Sequence, residues 1–151
     1  MINIGLPSIV AVPIRNNSLG PKIVFFSPGF SKRYPQNIDC IRILHAPKSG
    51  KQPLLKIPLL EIDGSPNCSK DWLEIRNGSS RASPQVPGSP FCGKAKPKNI
   101  LMNDSVWVRF VSDNSTDNSE LKGFFLAFYT GNYSDRREDD IWHTIQPTTG
   151  W

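Results

Sequence analysis

The stretch Cys68–Ser80, CSKDWLEIRNGSS, reads as a β-strand that runs into a tight turn. Leu73 and Ile75 fall on one face, and Trp72, Glu74 and Arg76 on the other. That is the period of two expected of a half-buried strand. Asn77-Gly78 then stops it with turn chemistry. Asp71 is the odd member. By the same counting it shares the face of Leu73 and Ile75, which should point inward. A carboxylate facing a core is costly unless something pairs with it. Taken alone, it could pair with Lys70, Arg109 or a backbone amide.

The same alternation of short apolar runs and turn clusters extends outward in both directions. KIVFF at 22–26, CIRILHA at 40–46 and LLKIPLLEI at 54–62 precede the stretch; SVWVRFV at 105–111 and GFFLAFYT at 123–130 follow it. Val106, Val108 and Phe110 share one face of their strand. GFFLAFY is apolar on both faces, as in a central strand covered on both sides. No helical stripe of useful length occurs. Evenly spaced short strands predict an all-β antiparallel sandwich of two sheets. Fourteen Pro and eleven Gly suit this reading, being turn formers that a helical protein would not carry in such number.

At 151 residues the chain is long enough for one domain with a real core. Residues 1–20 read as a loose lead-in, in which MINIGLPSIVAVPIRNN has an apolar stretch but no positive n-region, so it is at most a weak signal peptide or a truncated start. Residues 21–131 form the domain. Residues 132–151 read as a flexible tail or linker of mixed charge. No apolar run approaches the roughly 20 residues of a membrane span.

The net charge is +5, with basic residues scattered along the chain. Lys94, Lys96 and Lys98 form the one close set, and no aromatic residues interleave with them. That excludes the usual nucleic-acid signature and leaves a solvated surface or a sulfated glycan as the reading. The three cysteines, Cys40, Cys68 and Cys92, have no zinc spacing. Glycosylation sequons begin at Asn16, Asn77, Asn103, Asn114 and Asn132, with a poorer one at Asn67 because Cys68 fills its middle position. Sequons in this number, together with cysteines, favour an extracellular chain. HExxH, GxSxG and phosphate-loop motifs are all missing. The sequence points to a non-catalytic protein.

At this point the order of the pieces resembles the CUB domain family over about residues 20–131. SPGFSKRYPQNIDC resembles the family's opening, with a Ser-Pro turn and a Tyr-Pro pair before a cysteine. ILHAPKSG resembles the strand and turn that follow. LLEIDGSPNCSKDWLEIRNG resembles the central signature of an acid, a cysteine, an Asp three residues later, a strand and a glycine turn. FCGK resembles the fourth cysteine with its glycine, and VWVRFVSDNS and GFFLAFY the last two strands. Family members usually pair the first cysteine with the second and the third with the fourth. Here the first is absent, and Arg42 stands where many members have Trp. The resemblance implies a Cys68–Cys92 disulfide, closing a loop of about 25 residues and contributing roughly 3 kcal/mol. Cys40 is then left as a buried free thiol or as the partner of a cysteine beyond this chain; no base is placed beside it to make it reactive.

In the calcium-binding subset of the family, acidic residues at three of these motif positions hold the ion. Carried over, they are Glu61, Asp71 and Asp113, with Asn114 and Ser115 supplying further oxygens and Tyr34 orienting the shell. The spacing to Cys68 makes Asp63 an alternative to Glu61. Oxygen-only ligands are what a hard cation such as Ca²⁺ takes. Singly, each of these residues is ordinary turn chemistry; together they form an expected Ca²⁺ site. The resemblance implies that a partner's Lys or Arg docks at this acidic rim, on Tyr34, Glu61, Asp71, Asp113 and Ser115. An overall basic chain still attracts it there, because charges beyond about 8 Å are screened at physiological salt. The expected function is therefore that of an extracellular, secreted or ectodomain protein-interaction module. The alternatives are adhesion to a glycan or polyanion, and an accessory domain in a larger extracellular protease or receptor.

Overall fold

The computed structural model describes residues 10–16, 20–30, 32–46, 52–115 and 120–129. Among the described residues eight strands are formed: β1 (Val10–Asn16), β2 (Gly20–Phe26), β3 (Asp39–His45), β4 (Leu54–Glu61), β5 (Trp72–Asn77), β6 (Ile100–Leu101), β7 (Ser105–Val111) and β8 (Gly123–Tyr129). A single 3₁₀ turn, Pro66–Cys68, lies between β4 and β5. One sheet has the order β1-β2-β8-β4-β6 and the other β3-β7-β5, and all described pairings are antiparallel.

The expected strands form where the alternation places them. Leu73 and Ile75 are fully buried, as are Val106, Val108 and Phe110 on the neighbouring strand. They meet Leu55, Ile57, Phe124, Leu126 and Phe128 of the other sheet in one core. Each large apolar side chain buried in this way contributes about 1.5–3 kcal/mol. Strand β8 is central, between β2 and β4, and every residue of it is buried. Its alternate side chains, with Phe26 and Phe30, form a second cluster on the outer face of the larger sheet.

Two strands lie where no strand is expected from the sequence. Part of the segment read as a lead-in is β1, which pairs along its whole length with β2. Pro13 is tolerated because β1 is an edge strand and has a ladder on one side. The other is β6, two residues long, at the opposite edge. Pro58 lies inside β4, where the pairing register with β8 shifts between Lys56 and Leu59. A residue without an N–H fits such an irregularity. The tail at 132–151 lies outside the described residues.

Cys68 and Cys92 form a disulfide, with Cα atoms 5.6 Å apart. Cys40 stands outside it, 2% exposed, with its side chain in the core.

Across β3 and β7, Arg109 donates from Nε and Nη2 to the two carboxylate oxygens of Asp39, both at 2.8 Å. The guanidinium holds Asp39 below the usual carboxylate range. A depressed folded pKa makes this contribution present at neutral pH and lost as pH falls through the folded value. Asp39→Asn is expected to lower stability by about 1 kcal/mol at pH 7. The gap to wild type should narrow in urea melts as pH is lowered through the depressed folded pKa of Asp39.

Candidate functional site

Asp71 immediately precedes β5, and Asp113 follows β7 by two residues. Trp72 pairs with Val111, so the antiparallel register brings the two acids to the same end of the smaller sheet. The start of β3 lies at that end too, since Asp39 also pairs with Val111. Tyr34 comes from the loop leading into β3. On the larger sheet, β4 ends opposite the start of β8, with Glu61 paired to Gly123. The chain then continues through a bridge between Ile62 and Gly93 to Asp63.

Asp71 is 2% exposed, and both of its oxygens are satisfied. The Tyr34 hydroxyl donates to Oδ2, and the Asp113 amide donates to Oδ1 at 2.9 Å. Neither Lys70 nor Arg109 is its partner: Arg109 is committed to Asp39. The Tyr34 oxygen also accepts the Asp63 amide at 3.1 Å. One buried phenol, packed edge-on against Phe110, thus ties the strand-entry acid to the acid after β4. Asp63 Oδ1 in turn accepts the Ser65 amide at 2.9 Å and its hydroxyl, and Asp113 Oδ1 accepts the Ser115 amide at 2.9 Å.

Charge follows from these contacts. Burial raises the pKa of Asp71 above its ordinary range; the Tyr34 and Asp113 hydrogen bonds oppose the rise, and the Asp113 and Asp63 charges add to it. Asp63 is held below its range, chiefly by the Ser65 hydroxyl. Burial, and then the bond to Asp71, push the Tyr34 phenol up, so it stays a donor at neutral pH.

The structure therefore brings Tyr34, Asp63, Asp71, Asp113 and Ser115 into one network. It does not bring Glu61 into it. Glu61 is half-buried at the strand end, and the carboxylates that act on Asp71 are Asp113 and Asp63. Asn114 is exposed beside the network. Among the described residues, no three acidic side chains converge at metal-ligand spacing; oxygens of Asp71, Asp63 and Asp113 bond to Tyr34, Ser65 and Ser115 respectively. Sequence reasoning missed Arg33. Its guanidinium lies 4.6 Å from the centre of the Tyr34 ring, and Nη2 donates to the Ser115 carbonyl at 3.2 Å. Gln36 donates to the same carbonyl at 3.2 Å. Ser65 was missed as well, although Asp63-Gly64-Ser65 is a recognisable Asx-turn signature.

Tyr34→Phe removes a hydroxyl that serves two buried groups. It is expected to cost about 1–3 kcal/mol, because Asp71 and the Asp63 amide each lose a partner. Chemical denaturation checks it.

A CUB domain model matches residues 16–128. The chain belongs to the CUB domain family. Human cubilin is 31% identical over 109 residues, which is 70% of this chain and 3% of that protein. Bone morphogenetic protein 1 of Xenopus laevis is 35% identical over 104 residues, 68% of this chain and 14% of that protein. The chain thus spans a small fraction of the length of these relatives. Among solved structures, the MASP-1 CUB2 domain bound to Ca²⁺ superposes with a TM-score of 0.58 at 26% identity, covering 72% of this chain and 91% of that one.

The CUB assignment makes this an extracellular or ectodomain chain and an interaction module, in a family whose members are generally non-catalytic. Of the sequon asparagines, Asn67, Asn103 and Asn114 are exposed. Asn77 is half-buried, and its side-chain oxygen accepts the Asn103 amide at 2.9 Å. Asn16 ends β1, and Asn132 lies outside the described residues.

Proposed function

We propose that this CUB domain binds Ca²⁺ through Asp63, Asp71 and Asp113, and that the acidic rim so organised takes a Lys or Arg side chain of an extracellular protein partner. The observation that carries the reading is the pairing of the buried Asp71 with Tyr34 and with the Asp113 backbone, while the same Tyr34 oxygen anchors Asp63. The Asp113 and Asp63 charges both act against a charge on Asp71, and a cation offsets such repulsion. The donor set is all oxygen, which suits Ca²⁺. The likeness to a Ca²⁺-bound CUB structure supports the choice of ion. Bound there, the ion supplies fixed positive charge that holds the carboxylates in place. Tyr34 orients Asp71, and the Ser115 carbonyl, now bonded to Arg33 and Gln36, is a further oxygen within the network. Asp63 takes the position for which Glu61 was the first expectation.

The test is a calcium titration of thermal stability. Free Ca²⁺ a hundredfold above Kd should add about 2.7 kcal/mol to folding, a rise of several degrees that EDTA reverses. A melting temperature unmoved by millimolar Ca²⁺ would sink the proposal. Since the chain spans so little of its longer relatives, we further propose that it works as one module within a longer extracellular protein.

A further inference from the structure

Away from the acidic network, residues of the loop 87–99 and of strand β6 line an open groove of about 670 Å³. Its apolar wall comes from Pro87, Phe91, Pro97, Ile100 and Leu101, and Lys98 also lines it. No acidic side chain contributes to the lining. Leu101 is 52% exposed, an unusual state for a leucine on a strand. Lys94 and Lys96, also exposed, alternate along the same loop with the lining residues Ala95 and Pro97. The result, among the described residues, is an apolar floor with Lys98 in its lining and lysines in the same loop.

The floor is also a sheet edge. Strand β6 pairs with β4 on one side and, among the described residues, ends the five-stranded sheet on the other. The Met102 amide donates to the Pro53 carbonyl at 2.9 Å. The next pair along the ladder is Leu101 with Leu54. Hydrogen-bonded and non-bonded pairs alternate in antiparallel ladders, so the N–H and C=O of Leu101 point off the edge. An extended backbone laid there finds a donor and an acceptor at the same residue whose side chain stands open.

We propose that this groove is a docking site for an extended segment of a partner protein in which apolar side chains alternate with Asp or Glu. The segment adds to the β6 edge by strand pairing, its apolar side chains enter the cavity, and a carboxylate faces Lys98. A sulfated glycan satisfies the lysines but has nothing to place against Phe91, Ile100 and Leu101. The site shares no residue with the calcium network and does not depend on it.

The test uses the full ¹⁵N-labelled chain and a synthetic decapeptide of alternating Glu and Val. Amide shifts centred on 97–102 are expected. Leu101→Ser should weaken binding about tenfold and Lys98→Glu about threefold; both side chains are exposed, so both variants should melt with wild type. Decapeptides alternating Glu with Ser, or Lys with Val, should bind at least fivefold more weakly. Shifts elsewhere or none at all, or equal binding by the Glu–Ser peptide, the Lys–Val peptide or a heparin hexasaccharide at these residues, would overturn the proposal.

Discussion

Replacing Asp71 with alanine is expected to abolish the calcium-dependent rise in melting temperature and to weaken the calcium-free fold by about 2 kcal/mol. The two losses have different origins, and a second substitution separates them. The carboxylate is buried and accepts from Tyr34 and from the Asp113 amide. Alanine leaves both donors without an acceptor in a region closed to water. Asparagine keeps the shape and an acceptor for Asp113, while its amide meets the Tyr34 oxygen as a donor and the Tyr34 hydroxyl loses its acceptor. Burial already favours the uncharged form of Asp71. Asp71→Asn should therefore cost less than alanine without calcium, since only one donor loses its acceptor instead of two, yet lose the calcium response as fully as alanine does. An asparagine variant that still gained stability from calcium would show that Asp71 is a structural acid and that the ion, if bound, sits elsewhere.

Gly123→Ala is expected to be the most damaging small substitution in the described chain, at roughly 3–5 kcal/mol. Gly123 opens β8 with φ of +95°, a conformation that side chains rarely adopt. A methyl group there would stand 1.9 Å from the Ser27 hydroxyl and 2.8 Å from its Cβ. Ser27 has no room to retreat. It is fully buried, and its hydroxyl accepts the Phe124 amide at 3.0 Å. Tyr34 lies next to the same point, 3.7 Å from where the methyl would be. Damage to the central strand would thus also reach the acidic network. Gly64→Ala makes the control. There the nearest atom, the Gly93 Cα, is at 3.4 Å, and a change below about 1 kcal/mol is expected. Melting curves of the two variants should differ by on the order of 10 °C.

How much of this was legible in the sequence depends on how far a period of two carries. It carries through a strand. Leu73, Ile75, Val106, Val108 and Phe110 are core residues because their neighbours point the other way. It also placed Asp71 on the inner side, and there Asp71 is. The count fails where the ladder ends. After Glu61 the chain leaves β4 and bridges to Gly93 through Ile62. Parity therefore gave no means of choosing between Glu61 and Asp63, and only three-dimensional placement puts Asp63 beside Tyr34. Strand β1 was hidden by Pro13, which a central strand would not accept but an edge strand does. Strand β6 is too short for any period. Arg33 was invisible for another reason. Its role depends on meeting Ser115, 82 residues away along the chain, and nothing local in SKRYP announces that meeting.

The seclusion of Cys40 sets an order of events for the newly made chain. Three thiols can pair in three ways, and one pairing, Cys68 with Cys92, belongs to the folded domain. Cys40 reaches its sheltered state only when β3 has docked on β7 and the two sheets have closed. Until then it competes for the same oxidants, and any bridge it makes to Cys68 or Cys92, or to a second chain, holds β3 away from its place. Once the sheets have closed, burial of Cys40 keeps it from exchanging with the Cys68–Cys92 bridge. Here the sandwich guards its own correct crosslink.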